Sequence, residues 1–121
     1  MSNKERDWLE IFRFGSPTDS LDFSKDLNID SINSDLGSGQ TPLGVAIEFK
    51  NNEMVRWLLA NGADVNFYIK DSCGDPPVKI AADIRNFDLV KNLAILGADL
   101  LAPGWMGLSA LDRLIQYASE P

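Results

Sequence analysis

There is no histidine in these 121 residues, and only one cysteine, Cys73. The first absence excludes zinc sites built on imidazole, Ser-His-Asp triads and Cys-His dyads. The second excludes a disulfide within the chain. Cys73 stands beside Gly74 with Asp71 and Asp75 near it in sequence, and nearby carboxylates disfavour a thiolate, so an inert thiol is expected. Long apolar runs are missing as well. None approaches membrane-spanning length, and Asp7, Glu10 and Arg13 interrupt the stretch where a signal peptide needs an apolar centre. A cytoplasmic protein is the expectation. Basic residues are scarce: 11 Lys and Arg stand against 18 Asp and Glu, a net charge of −7. This argues against nucleic acid, whose binding relies on cationic contacts with phosphate. It suits a basic protein partner, and equally a chain kept soluble by its charge.

What is present is an ordinary hydrophobic content of 45%, enough for a core, and it is arranged periodically. Thr41 can cap a helix and Pro42 fits its first position. Leu43, Ala46 and Ile47 follow at helical spacing until Asn51-Asn52 breaks the run. Met54, Val55, Leu58 and Leu59 form a second run, and Gly62 ends it where a left-handed residue is wanted. The unit returns 35 residues later. Pro76-Pro77-Val78 answers Thr41-Pro42-Leu43, Ala81 answers Ala46, Val90 answers Val55, Leu93 answers Leu58, and Gly97-Ala98-Asp99 answers Gly62-Ala63-Asp64. A helix-turn-helix unit repeated at this period marks a solenoid.

These residues resemble the ankyrin repeat. Thr41-Pro42-Leu43 matches its Thr-Pro-Leu opening, Gly62-Ala63-Asp64-Val65-Asn66 matches its closing turn, and Gly44 takes the place of the usual histidine. The resemblance runs over roughly residues 30 to 118. It implies an all-α, ankyrin-like helix-turn-helix solenoid of about three and a half repeats with short hairpin fingers. The whole chain, 1–121, is then one domain: a degenerate N-terminal cap repeat at 7–33, repeats at 34–66 and 67–101, and a C-terminal half repeat at 102–121. A separate N-terminal arm is the alternative for the first unit. Inner helices are expected over Thr41–Lys50, Pro77–Arg85 and Ala110–Ser119, and outer helices over Glu53–Asn61 and Asp88–Leu96. Asp7–Phe14 and Ser20–Leu27 read as two further helices. The polar segments between repeats would be β-hairpin fingers.

Chemistry has little to work with. Glu48 and Asp83 hold equivalent places on successive inner helices, about 10 Å apart by helix-packing distance, a separation some glycosidases use. An open groove offers nothing to raise one carboxyl's pKa, so a hydrolase using Glu48 and Asp83 is a distant alternative. Gly37-Ser38-Gly39-Gln40 lacks the lysine and spacing of a phosphate loop. No metal or cofactor site is expected.

Binding fits better. The resemblance places variable positions at finger tips and on the exposed side of inner helices. The candidates are Gln40 in the first finger, Tyr68, Lys70, Asp71 and Asp75 in the second, and Trp105 and Met106 in the third. Glu48, Phe49, Asp83, Ile84, Gln116 and Tyr117 join them from the inner helices. Phe67 is expected to pack down, leaving Tyr68 and Asp71 available. Phe49 and Ile84 beside Glu48 and Asp83 imply a groove with an aromatic floor and a negative rim, suited to a basic surface carrying apolar anchors. The expected function is a non-catalytic protein-binding module. Its sharper form is an acidic inhibitor of the immunity-protein type that occludes a basic partner such as a toxin. An adaptor or subunit of a larger complex is the alternative. No nucleic-acid or membrane partner is expected. Leu111, Leu114 and Ile115 form the stripe of a last helix that no outer helix covers. A monomer with Tyr117 folded over that edge is the expectation, and a dimer through the C-terminal edge the alternative.

Overall fold

The computed structural model describes residues 8–16, 32–70 and 74–120. The expected helix at Ser20–Leu27 and the finger residues Asp71 and Cys73 lie outside them. Among the described residues six α-helices follow in order: α1 Trp8–Phe14, α2 Pro42–Glu48, α3 Asn52–Ala60, α4 Pro77–Asp83, α5 Phe87–Ile95 and α6 Ala110–Ala118, with a 3-10 turn over Trp105–Gly107. No strand occurs among the described residues. The architecture is the all-helical solenoid that the repeat implied.

Helices α2, α3, α5 and α6 each start where a side chain supplies an acceptor for a free N–H group, whereas α4 follows Pro76, which offers no such cap. The Gly44 N–H donates to Thr41 Oγ at 3.1 Å, and Pro42 occupies the first turn of α2. The outer helices α3 and α5 begin at Asn51 and Asn86, whose side chains accept from the Met54 and Leu89 N–H groups. Helix α6 begins with a reciprocal capping box between Ser109 and Asp112. The Ser109 backbone and hydroxyl donors hold the Asp112 carboxyl below the usual carboxylate range. Its stabilising contribution is therefore complete above the unfolded-state pKa and is lost as pH falls through the folded one.

Helix ends are equally regular. The N–H groups of Asn51, Ala63, Asn86 and Ala98 donate back to the carbonyls of Ala46, Leu58, Ala81 and Leu93, all at 2.9 Å. This closure requires the preceding residue to be left-handed. Glycine serves after the outer helices, with Gly62 at φ 103° and Gly97 at φ 102°. After the inner helices the residues are Lys50 and Arg85, both at φ 60°. These two left-handed residues end α2 and α4 at Glu48 and Asp83, earlier than the hydrophobic period alone indicates.

The helices stack in two rows. Helix α1 packs on α2, α2 on α4 and α4 on α6, while α3 backs α2 and α5 backs α4. Phe12, Ile47, Met54, Leu58, Val78 and Leu93 are fully buried between the rows. Successive repeats are also stitched through their closing turns. Asn33 Nδ2 donates to the Gly62 carbonyl at 3.3 Å, and its Oδ1 accepts the Asp64 N–H at 2.9 Å. Asn66 repeats this one unit on, to the Gly97 carbonyl at 3.1 Å and the Asp99 N–H at 2.8 Å.

The first and third fingers are turns rather than β ladders. Leu36 N–H closes the first onto the Gln40 carbonyl, and Gly104 N–H closes the third onto the Leu108 carbonyl, both at 2.7 Å. At the tip of the first finger Gly37, Ser38 and Gly39 all have positive φ, at 123°, 55° and 79°.

Two outcomes follow for stability. Asn66→Ala removes both stitches to the next turn and is expected to lower unfolding free energy by about 1–2 kcal/mol in urea titration, with an unchanged slope. Lys50→Gly relieves left-handed backbone strain and is expected to raise it by about 0.5–1 kcal/mol. A destabilised Lys50→Gly would contradict the strain at this helix end.

Candidate interaction surface

The inner helices α2 and α4, with the first two fingers, enclose a pocket of about 200 Å³ on the concave side. Val45, Ile80 and Ile84 give it apolar walls, and Gln40, Glu48, Asp75 and Asp83 give it a polar rim. The structure thus brings together Gln40, Glu48, Asp75, Asp83 and Ile84. Phe49 is not part of this floor. Its ring meets Phe14 edge-on at 5.6 Å, with the Arg13 guanidinium 4.8 Å over it. The groove is accordingly aliphatic rather than aromatic, because α2 turns Phe49 toward α1.

Behind the rim sits a group the sequence reading passed over. Lys79 is only 2% exposed, yet it lies on an inner helix between Val78 and Ile80. Its ammonium reaches Asp83 Oδ2 at 2.9 Å and Asp75 Oδ1 at 3.4 Å, one turn to either side. Arg113 Nε on α6 donates to the other Asp83 oxygen at 2.9 Å. The signal was there in the Lys79-Asp83 spacing, which puts the two charges on one helical face, with Asp75 four residues before Lys79 at the helix entrance. Asp83 therefore has both oxygens occupied.

The third finger is built to hold its tip still. Asp75 Oδ1 accepts the Trp105 N–H at 2.8 Å, and the Tyr68 hydroxyl donates to the Pro103 carbonyl at 2.8 Å. Burial, then the nearby Asp99 and Asp75 carboxylates, push the Tyr68 hydroxyl up, which keeps it a donor. A Cβ on Gly104 would collide with Asp75 Oδ1, so only glycine lets the two fingers meet this closely. Trp105 and Met106 remain 50% and 75% exposed, and Met106 is held at φ 61°, a conformation that a methionine adopts only when its surroundings impose it.

Tyr68 is thus a strut between fingers rather than a free contact, with Lys70 above its ring at 5.8 Å. Tyr117 is similarly engaged. Its hydroxyl donates to the Asp83 carbonyl at 3.3 Å, its ring meets Phe87 edge-on at 6.2 Å, and the Arg85 guanidinium lies 3.9 Å over its face. Arg85 also forks onto Glu120 through two 3.0 Å hydrogen bonds, which hold the Glu120 carboxyl below the usual range. Gln116 accepts from Arg113 at 2.9 Å. Tyr117 thus packs back onto α4 and α5, while Ile115 stays 57% exposed. Among the described residues no helix is long and apolar enough to cross a membrane, and no three metal-ligating side chains converge.

The buried ion cluster has a direct test. Asp83→Ala strands the Lys79 ammonium with one long contact to Asp75, and is expected to cost about 2–3 kcal/mol in urea unfolding. Lys79→Met fills the same space without a charge and is expected to stay within about 1 kcal/mol of the parent. Equal losses in the two variants would contradict a desolvated lysine.

The family model for ankyrin repeats, in three copies, matches residues 15–103. No curated protein matches the chain. The matched span takes in the stitched turns, both complete helix pairs and two of the fingers, and such repeats form protein–protein interaction modules: the chain belongs to the ankyrin-repeat family.

Proposed function

We propose that the protein is a non-catalytic binding module that occludes a basic partner protein, as an acidic inhibitor of the immunity type. The observation that carries this reading is the role of Asp75. It lines the concave pocket and also holds the Trp105 N–H. The acidic groove and the exposed Trp105–Met106 tip therefore form one continuous surface: an apolar anchor pair set beside negative charge. Large, exposed side chains on a backbone held in place are what binding hot spots use, because less entropy is lost on contact. The net charge of −7 adds long-range attraction for a basic surface. Glu48, Ile84 and Gln116 extend the surface along the inner helices, with Phe49 and Lys70 at its margins.

The test is affinity capture with the wild-type chain and with Trp105→Ala/Met106→Ala, followed by kinetics on the protein retained. The expected outcome is a partner of basic isoelectric point that the double variant loses. Its association rate should fall about tenfold between low and physiological ionic strength. A captured partner with an acidic surface and a salt-independent rate would overturn the inhibitor reading.

A further inference from the structure

Residue 44, in the lining of the concave pocket, has no side chain. A Cβ there would lie 3.0 Å from both Ile80 Cδ1 and Thr41 Oγ, so any larger residue would have to grow into the cavity or displace its wall. At about 200 Å³ the space is smaller than the roughly 300–1,000 Å³ of small-molecule sites. It is sized for a single side chain entering from the concave face.

Its electrostatics follow from pairing. The negative charges of Asp75 and Asp83 are offset by Lys79 and Arg113, all four within one ion cluster. Glu48 is different. It is exposed at the C-terminal end of α2 and makes no hydrogen bond or ion pair with another described residue. Helix C-termini add negative potential of their own. The mouth therefore carries one uncompensated carboxylate beside the side chains of Gln40 and Ser38, over walls of Val45, Ile80 and Ile84.

We propose that this pocket receives one arginine side chain of the partner protein. The proposal rests on the binding reading above and names the group recognised. The aliphatic stem of an arginine lies along the apolar walls. Its planar guanidinium meets the Glu48 carboxylate and has further donors for Gln40 and Ser38, which the ammonium of a lysine would match less completely. Arg rather than Lys is the choice because the acceptors are spread around the mouth, and the fork of five N–H groups reaches several at once.

The experiment uses an acetylated, amidated glycyl-arginyl-glycine tripeptide, titrated into the 15N-labelled full chain and followed by amide shifts. Its controls are the same tripeptide with citrulline or with lysine. The arginine peptide is expected to move the Ser38, Gly39 and Gly44 amides at millimolar concentration. The citrulline peptide should bind at least about fivefold more weakly, and the lysine peptide should lie between them. Glu48→Gln, an exposed substitution, should raise the arginine-peptide Kd about fivefold and erase its preference over citrulline. Equal binding of the arginine and citrulline peptides, or an unchanged Kd in Glu48→Gln, would overturn the proposal. So would shifts scattered over the acidic surface that spare Gly44. The two readings fail separately. A captured basic partner with unmoved pocket amides removes only the arginine pocket, while a responsive pocket in a chain that captures no basic protein removes only the inhibitor reading.

Discussion

The amide side chain of an asparagine, used twice, sets the register of this stack. A primary amide offers a donor and an acceptor on one planar group. Asn33 and Asn66 use both ends, one on a carbonyl and one on an N–H of the next closing turn. Those turns end the outer helices, so the amide fixes the height of one repeat relative to the next. Rows of inner helices can then bury Ala46, Ala81 and Ala110 with almost no exposed surface, small residues that permit close helix approach. Hydrophobic burial supplies most of the driving force, but it is indifferent to small slips along a helix row; the directional amide bonds are not.

From that register the binding surface follows. Aligned repeats bring the fingers side by side, so Asp75 in one finger can accept from Trp105 in the next, and Tyr68 can reach Pro103. They also bring Asp83 within reach of Arg113 on the following inner helix. The same alignment leaves the cleft between α2 and α4 open at Gly44. Surface features that look separate in sequence are therefore products of one repeat-to-repeat translation.

Much of this was legible beforehand, for physical reasons. The Thr41-Pro42 cap, the paired Gly62 and Gly97, and the apolar periods of the helices are local signals, and each of α1 to α6 stands within a residue or two of its expected bounds. Lys50 and Arg85 were not legible as left-handed residues, since nothing in a lysine or arginine advertises that conformation; the turn imposes it. The surface was harder still. Exposed Trp105 and Met106 stood out through their flanking glycines. Tyr68, Asp75, Asp83 and Tyr117 looked like contact residues, yet all four take part in internal hydrogen bonds or ion pairs. Whether a polar side chain faces a partner or its own fold depends on what the neighbouring repeat places opposite it, and a single helical period does not encode that. Gly44 signalled a missing side chain, but its cavity appears only when Ile80 is set across from it.

Lys79 gives the stack a chemical property as well as a mechanical one. Its side chain is 3% exposed and its ammonium faces two carboxylates, so an acylating reagent, or an enzyme that modifies lysines, cannot reach it while α4 and α6 stay together. Exposed lysines such as Lys50, Lys70 and Lys91 carry no such protection. The slow labelling of Lys79 against their fast labelling would time the rate at which α6 lifts away from α4, without any engineered probe.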